Sequence, residues 1–187
     1  MRSFRRVRGC FEAHLEEFEV ALLSSLAEQL RELLGGPIEA VESRSLDAFE
    51  RLVADQLGRV ELDHTDPLID RLFPAAYTDA SRADEFRRYT EEESRRARVA
   101  QASLVLEDLA ATREGEEPLR VGPEHVDAWL KTVNALRLSL SVRLGIVDEA
   151  SLDLLERLPA RDPRTQLMDL YDWLGFVLES LLEALES

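Results

Sequence analysis

The rhythm of hydrophobic positions changes several times along the chain. Residues 3–15 alternate loosely, with Phe4, Val7, Phe11, Ala13 and Leu15 separated by arginines and Gly9, which predicts two short strands about a turn. From Glu16 the period becomes helical: Phe18, Leu22, Leu26, Leu30 and Leu33 fall on one stripe, and Gly35, Gly36 and Pro37 end it. Residues 37–65 follow neither period, since Phe49, Leu52, Val53 and Leu57 fit a helix while Val60 and Leu62 alternate. Asp66 before Pro67 reads as an N-cap with proline in the first turn, opening a short helix that ends near Phe73 and Pro74.

A long helix is predicted over about 81–111, with Phe86, Tyr89, Ala97, Ala100, Leu104 and Leu109 as its apolar stripe and Glu91 to Arg95 as an i, i+4 ion pair. Thr112 to Pro118, with Gly115 between acids, reads as a solvated loop, and Leu119 and Val121 as a third short strand. Leu136, Leu138, Leu140, Val142 and Leu144 alternate as a strand would. Helix is nevertheless favoured, because Pro123 suits a first turn and Val126, Leu130, Val133, Leu136, Leu140 and Leu144 keep helical spacing as far as Gly145. A helix apolar on more than one face belongs at the centre of a helical core. Asp162 and Pro163 open a terminal helix whose inner face carries Leu167, Leu170, Leu174, Val177, Leu181 and Leu185. The expected fold is mainly α: a bundle of about five helices with a small N-terminal β-hairpin or three-stranded sheet, as a single domain over 1–187. A split near residues 113–118 would leave each half with amphipathic helices and little to pack them against.

Charge narrows the function classes. The 187 residues hold 38 acids against 23 bases, a formal charge of -15. Such a chain is repelled by phosphate backbones over any broad face. The exception is local: Arg2, Arg5, Arg6 and Arg8 give residues 1–14 a charge of +3 after Glu12 is counted, leaving -18 on the remainder. Those arginines could contact phosphates or an acidic partner, but the expectation is that they pair with acids of the body. The longest uncharged stretches are eight residues, well short of the roughly 20 that span a bilayer, and no apolar signal core follows the basic start, so a cytoplasmic chain is expected.

Catalytic signatures are absent. There is no GxGxxG, Walker lysine motif, HExxH or GxSxG. His14, His64 and His125 are far apart, and although His64 lies among Glu61, Asp63, Asp66 and Asp70, acidic loops are commonly just solvated. No metal, cofactor or enzymatic activity is therefore expected. Cys10, the sole cysteine, excludes an internal disulfide, though the arginines around it could favour a reactive thiolate if it is exposed. Trp129, Tyr171 and Trp173 read as core or interface anchors. Asn134, Arg137 and Arg143 stand out because a Leu-rich helix must place these polar heads somewhere. A buried Arg137 would need Asp172 or Glu179 as a partner, whereas one opening into a cleft could recognise an anion.

Four segments taken together, DPLIDRLFPAAY at 66–77, EFRRYTEEE at 85–93, WLKTVNALRLSLSVRLG at 129–145 and YDWLGFVLESLL at 171–182, resemble an actinobacterial family known as domain of unknown function 2017. The family pattern falls on Asp66, Arg71, Pro74 and Tyr77, on Phe86, Arg87 and Glu91, on Trp129, Asn134, Leu136, Arg137, Arg143 and Gly145, and on Tyr171, Trp173 and Glu179. Some members are described as oxidative-stress-responsive transcriptional regulators, and their genes often neighbour those for a Clp protease adaptor. The resemblance implies a cytosolic, non-enzymatic regulatory protein that acts through protein contacts, with the transcription machinery as one candidate partner. Redox sensing in the family relies on a cysteine pair, which Cys10 alone does not provide. Two other readings stay open: a small-ligand binder or enzyme with an Arg/Asn-lined site between the C-terminal helices, and an accessory of Clp-type regulated proteolysis.

Overall fold

The computed structural model describes residues 1–35, 67–73, 80–159 and 161–187, with side chains described throughout these except at position 70 and over 80–92. Strand β1 (Arg5–Val7) pairs antiparallel with β2 (Cys10–Ala13), Arg5 opposite Glu12 and Val7 opposite Cys10. The connection is a two-residue turn with Arg8 at φ 50° and Gly9 at φ 88°, the left-handed pair that matches the twist of a tight hairpin. Strand β3 (Leu119–Val121) joins the other edge of β2, so the sheet order is β1-β2-β3. Phe11, Ala13, Leu119 and Val121 face the core. The opposite face carries Arg5, Val7, Cys10, Glu12 and Arg120, with Arg120 Nε donating to Glu12 Oε1 at 2.9 Å.

Helix α1 (Glu17–Leu33) starts and stops where its pattern indicates, but its buried stripe is rotated from the expected one. Leu22, Leu26 and Leu30 are buried with Val20, Leu23, Ala27 and Leu34, whereas Phe18 is 57% exposed and Leu33 half-buried. Glu19 is buried instead, because its carboxylate closes the first turn: Oε2 accepts the Glu16 backbone N–H at 2.8 Å and Oε1 pairs with the N-terminal ammonium. This is a capping box satisfying donors that a helix start leaves free.

Helix α2 (Pro67–Leu72) places Leu68, Ile69 and Leu72 in the core, and Arg98 Nη2 donates to the Leu72 carbonyl at its end at 2.8 Å. Helix α3 (Ala80–Ala110) packs on α1 and on α4 (Val126–Leu144). Its described buried face is Ala102, Val105 and Leu109. Ala97 and Ala100, expected there, are exposed, since the buried line runs one to two residues further along the turn. Phe86, Tyr89 and the Glu91 to Arg95 pair lie outside the described side chains, and Arg95 Nη2 donates to the Leu34 carbonyl at 3.2 Å.

The alternation at 136–144 is helical, not extended. Helix α4 touches α1, α2, α3 and α6 (Arg164–Glu186), which accounts for leucines on several of its faces. It begins at Val126, after a turn holding Pro123, and ends at Gly145 with φ 72°. Trp129 is fully buried, edge-on to Phe4 at a centroid distance of 6.2 Å. Its Nε1–H donates to Asp108 Oδ2 at 2.8 Å, and His125 Nδ1 lies 3.0 and 3.1 Å from the two oxygens of that carboxylate. Asp108 therefore clamps the end of α3 to the start of α4. Helix α6 buries Leu167, Leu170, Leu174, Val177 and Leu181 as expected, with Leu185 half-buried. Asp162 closes its entry by accepting the Arg164 backbone and guanidinium N–H groups, which hold its carboxyl down at about 2.

The described residues thus contain six helices and a three-stranded sheet. The helix added to the sequence-based five is α5 (Glu149–Glu156), capped reciprocally by Asp148 and Ser151.

Candidate ligand cleft between α2, α4 and α6

Gly145 turns the chain at the end of α4, and residues 146–148 then run back beside the helix on the way to α5. Together with α2 and the start of α6 they enclose a concave site of about 210 Å³. Arg71 of α2, Asn134, Arg137, Leu138 and Ser141 of α4, Ile146 to Asp148, and Tyr171 of α6 line it. The α4 members follow an i, i+3, i+4, i+7 spacing, one face of that helix.

Arg71 is held by two hydrogen bonds, Nη1 to Ser141 Oγ at 2.9 Å and Nη2 to the Ile146 carbonyl at 3.1 Å. Ser141 Oγ can accept because its own proton goes to the Leu138 carbonyl at 2.8 Å. Arg137 is held differently. Its guanidinium carbon lies 4.4 Å from the centre of the Tyr171 ring, a cation–π stack. A Cβ at Gly175, one turn after Tyr171, would lie 3.4 Å from that guanidinium. That is an ordinary contact distance, so the guanidinium lies close against the α6 backbone at this position.

The carboxylate partner expected for Arg137 is not in contact: no ion pair joins Arg137 to Asp172 or Glu179, both of which are exposed. The stack on Tyr171 takes that place. Asp172 still senses the cation, since partial burial and then Asp169 push its carboxyl above the usual range while Arg137 pulls it down. Replacing Arg137 by glutamine is therefore expected to raise the Asp172 midpoint further in an NMR titration of its carboxyl carbon; an unchanged or lowered midpoint would contradict this placement. Because the folded value already exceeds the unfolded one, Asp172 favours the fold below its unfolded pKa and loses that contribution as pH rises through the folded pKa.

The family-motif residues thus separate. Arg71, Asn134, Arg137 and Tyr171 meet in the cleft, whereas Arg143 and Trp173 are half-buried and, with exposed Glu179, do not line it. Asp66 and Tyr77 lie outside the described residues, as does the His64 cluster, and Arg87 and Glu91 are on α3 where side chains are not described. Ser141, Asp148 and the apolar wall of Leu138, Ile146 and Val147 were not legible as site residues, because the Gly145 reversal brings them together.

The arginines of the hairpin depart from expectation. Arg2, Arg5, Arg6 and Arg8 are all exposed, and none forms an ion pair with a described carboxylate. Arg5 and Arg6 sit on the edge strand and Arg8 in the turn. Cys10 is half-buried and free on the outer face of the sheet. Among the described residues, no group of three or more His, Cys, Asp or Glu side chains could hold a metal ion, and no helix is long and apolar enough to cross a membrane.

Comparison with known proteins agrees with the resemblance in the four motif segments. A protein of Mycobacterium leprae (strain TN), named "Putative oxidative stress regulator AosR", is 30% identical over 203 aligned positions covering 99% of this chain and 88% of that protein. No solved structure matches. The family model described as Domain of unknown function (DUF2017) matches residues 1–185, and the chain therefore belongs to that family.

Proposed function

We propose that the chain is a single-domain, non-enzymatic regulatory protein of the cytoplasm that acts by contact with a protein partner. The observation that carries this reading is the similarity, over 99% of the chain, to a protein named as an oxidative stress regulator. Its physical features are compatible with a contact surface. The acidic body suits a basic partner. Phe176 and Leu182 on α6, and Val147 and Leu154 around the start of α5, leave large apolar side chains exposed. The exposed arginines Arg2, Arg5, Arg6 and Arg8, without an ion pair among the described residues, supply a separate cationic edge.

Capture from a native lysate of the source organism by the full chain, with and without oxidant, tests the reading. A reproducible protein partner is expected in at least one condition, and its absence in both would count against it. A version in which the hairpin contacts DNA makes a sharper claim: affinity that falls steeply with salt and is lost when Arg5, Arg6 and Arg8 become alanine. Binding that ignores salt would end that version. A ligand-binding role is favoured by one specific observation, the opening of Arg137 into a cleft rather than onto a carboxylate, and it is compatible with regulation.

A further inference from the structure

Two positive charges in the cleft have no counter-charge within contact distance among the described residues, in a chain where acids outnumber bases 38 to 23. Among the described residues, neither Arg71 nor Arg137 forms an ion pair. Scarcity of carboxylates does not explain this. Arg71 spends two N–H groups on Ser141 and Ile146, which fixes the charge without neutralising it. Arg137 lies over the Tyr171 ring and beside the α6 backbone at Gly175, and its Nε is buried with no acceptor among the described residues. An orphaned buried N–H on a charged group costs on the order of 1–3 kcal/mol. A guanidinium stacked on a ring bonds through its in-plane N–H groups, and a pair of Nη N–H donors matches a carboxylate.

The remaining walls select among anions. Leu138, Ile146 and Val147 form an apolar side, and Asp148, whose Oδ1 accepts the Ser151 N–H at 2.8 Å, lines the same cleft. A dianion such as phosphate would meet Asp148 repulsion and bury polar oxygens against apolar carbon. A singly charged carboxylate with a short hydrocarbon tail avoids both costs, and about 210 Å³ accommodates only a small molecule. We propose that the cleft binds a small aliphatic monocarboxylate, held by the Arg137 Nη groups with Arg71 as second positive charge and its tail on Leu138, Ile146 and Val147. The site goes beyond the partner-contact reading and stands or falls independently of it.

Sodium propionate is a suitable probe. Titrated into the full-length protein at constant ionic strength, it is expected to shift the Arg137 Nε–H resonance saturably, with a Kd on the order of 1–10 mM for so few atoms. The Nε–H of Arg120, which is exposed and already donates to Glu12, serves as an internal control and should stay still. Arg137→Lys keeps the charge but loses the planar fork, and should weaken binding about tenfold. Asn134 is exposed on the cleft, so Asn134→Asp adds a negative charge without disturbing the core and should weaken binding several-fold even if the lysine variant misfolds. An Arg137 resonance that never saturates would overturn the proposal, as would unaltered affinity in Asn134→Asp. Inorganic phosphate binding more tightly than propionate would overturn the monocarboxylate assignment.

Discussion

Replacing Trp129 by alanine is expected to cost about 3–5 kcal/mol of folding stability, in the range found when a large aromatic is removed from a packed core. The indole is fully buried, and Phe4 meets it edge-on from the start of the chain. Its loss would open a cavity where the sheet, α3 and α4 converge. A second effect is polar. Asp108 accepts from the indole Nε1–H and lies within hydrogen-bond distance of His125 Nδ1, so the truncation also takes away one of its partners. Asp108→Ala attacks the same cluster from the other side and should cost about 1–3 kcal/mol, because a buried indole N–H is then left without an acceptor. The two residues are in contact, so the double variant should lose less than the sum of the single losses. Urea unfolding followed by far-UV circular dichroism measures all three. A loss below about 1 kcal/mol for Trp129→Ala would mean that this cluster is not a centre of the core.

The Trp129 cluster also marks how far the sequence could be read. Trp129 was legible as an anchor because it stands in an apolar helical run, but Asp108 and His125 were not legible as its companions. They are 17 residues apart, separated by a loop and a strand, and no short-range rule pairs them. The same division holds elsewhere. The hairpin, the Gly35 and Gly145 stops, the Asp162 entry and the helical nature of 126–144 follow from local chemistry and were all readable. Phe18 was misplaced because period alone does not say which edge of a stripe faces the core, and Glu19 took the buried position through its cap and its ion pair with the N-terminal ammonium. Helix α5 was missed because it is short and buries only Leu155, leaving the Asp148 and Ser151 cap as its main signal. In the cleft, Arg137 was recognisable as a polar head needing a place, and Arg71 only as part of a family motif. What neither spacing nor resemblance supplied was the contact: Tyr171 and Gly175 are one turn apart on α6, and the Arg137 guanidinium from another helix lies near both.

Gly115→Ala is expected to cost about 2–4 kcal/mol, well above what a substitution in a solvated loop would do. The acids on either side make this segment look wet, yet it is ordered by its own geometry. Arg113, Glu114 and Gly115 have φ of 49°, 63° and 91°, three consecutive residues in the left-handed region. Thr112 organises the turn, its carbonyl accepting from Gly115 N at 3.1 Å and Glu117 N at 2.9 Å while its hydroxyl donates to the Leu109 carbonyl at 2.7 Å. The result presses Gly115 onto the entry to α1. A Cβ there would lie 2.9 Å from the Leu15 carbonyl oxygen and 3.1 Å from Glu17 N, and backbone atoms cannot swing aside as a flexible side chain can. Gly9 is the control, with nearly the same φ of 88° but nothing within 4 Å of its added Cβ. Gly9→Ala should therefore show only the conformational cost, about 1–2 kcal/mol. The difference between the two variants in urea midpoints isolates the close approach. Equal losses would mean that the loop does not press on α1. A larger loss at Gly115, accompanied by faster amide exchange where β3 pairs with β2, would identify this loop as what holds a strand from late in the chain against the N-terminal hairpin.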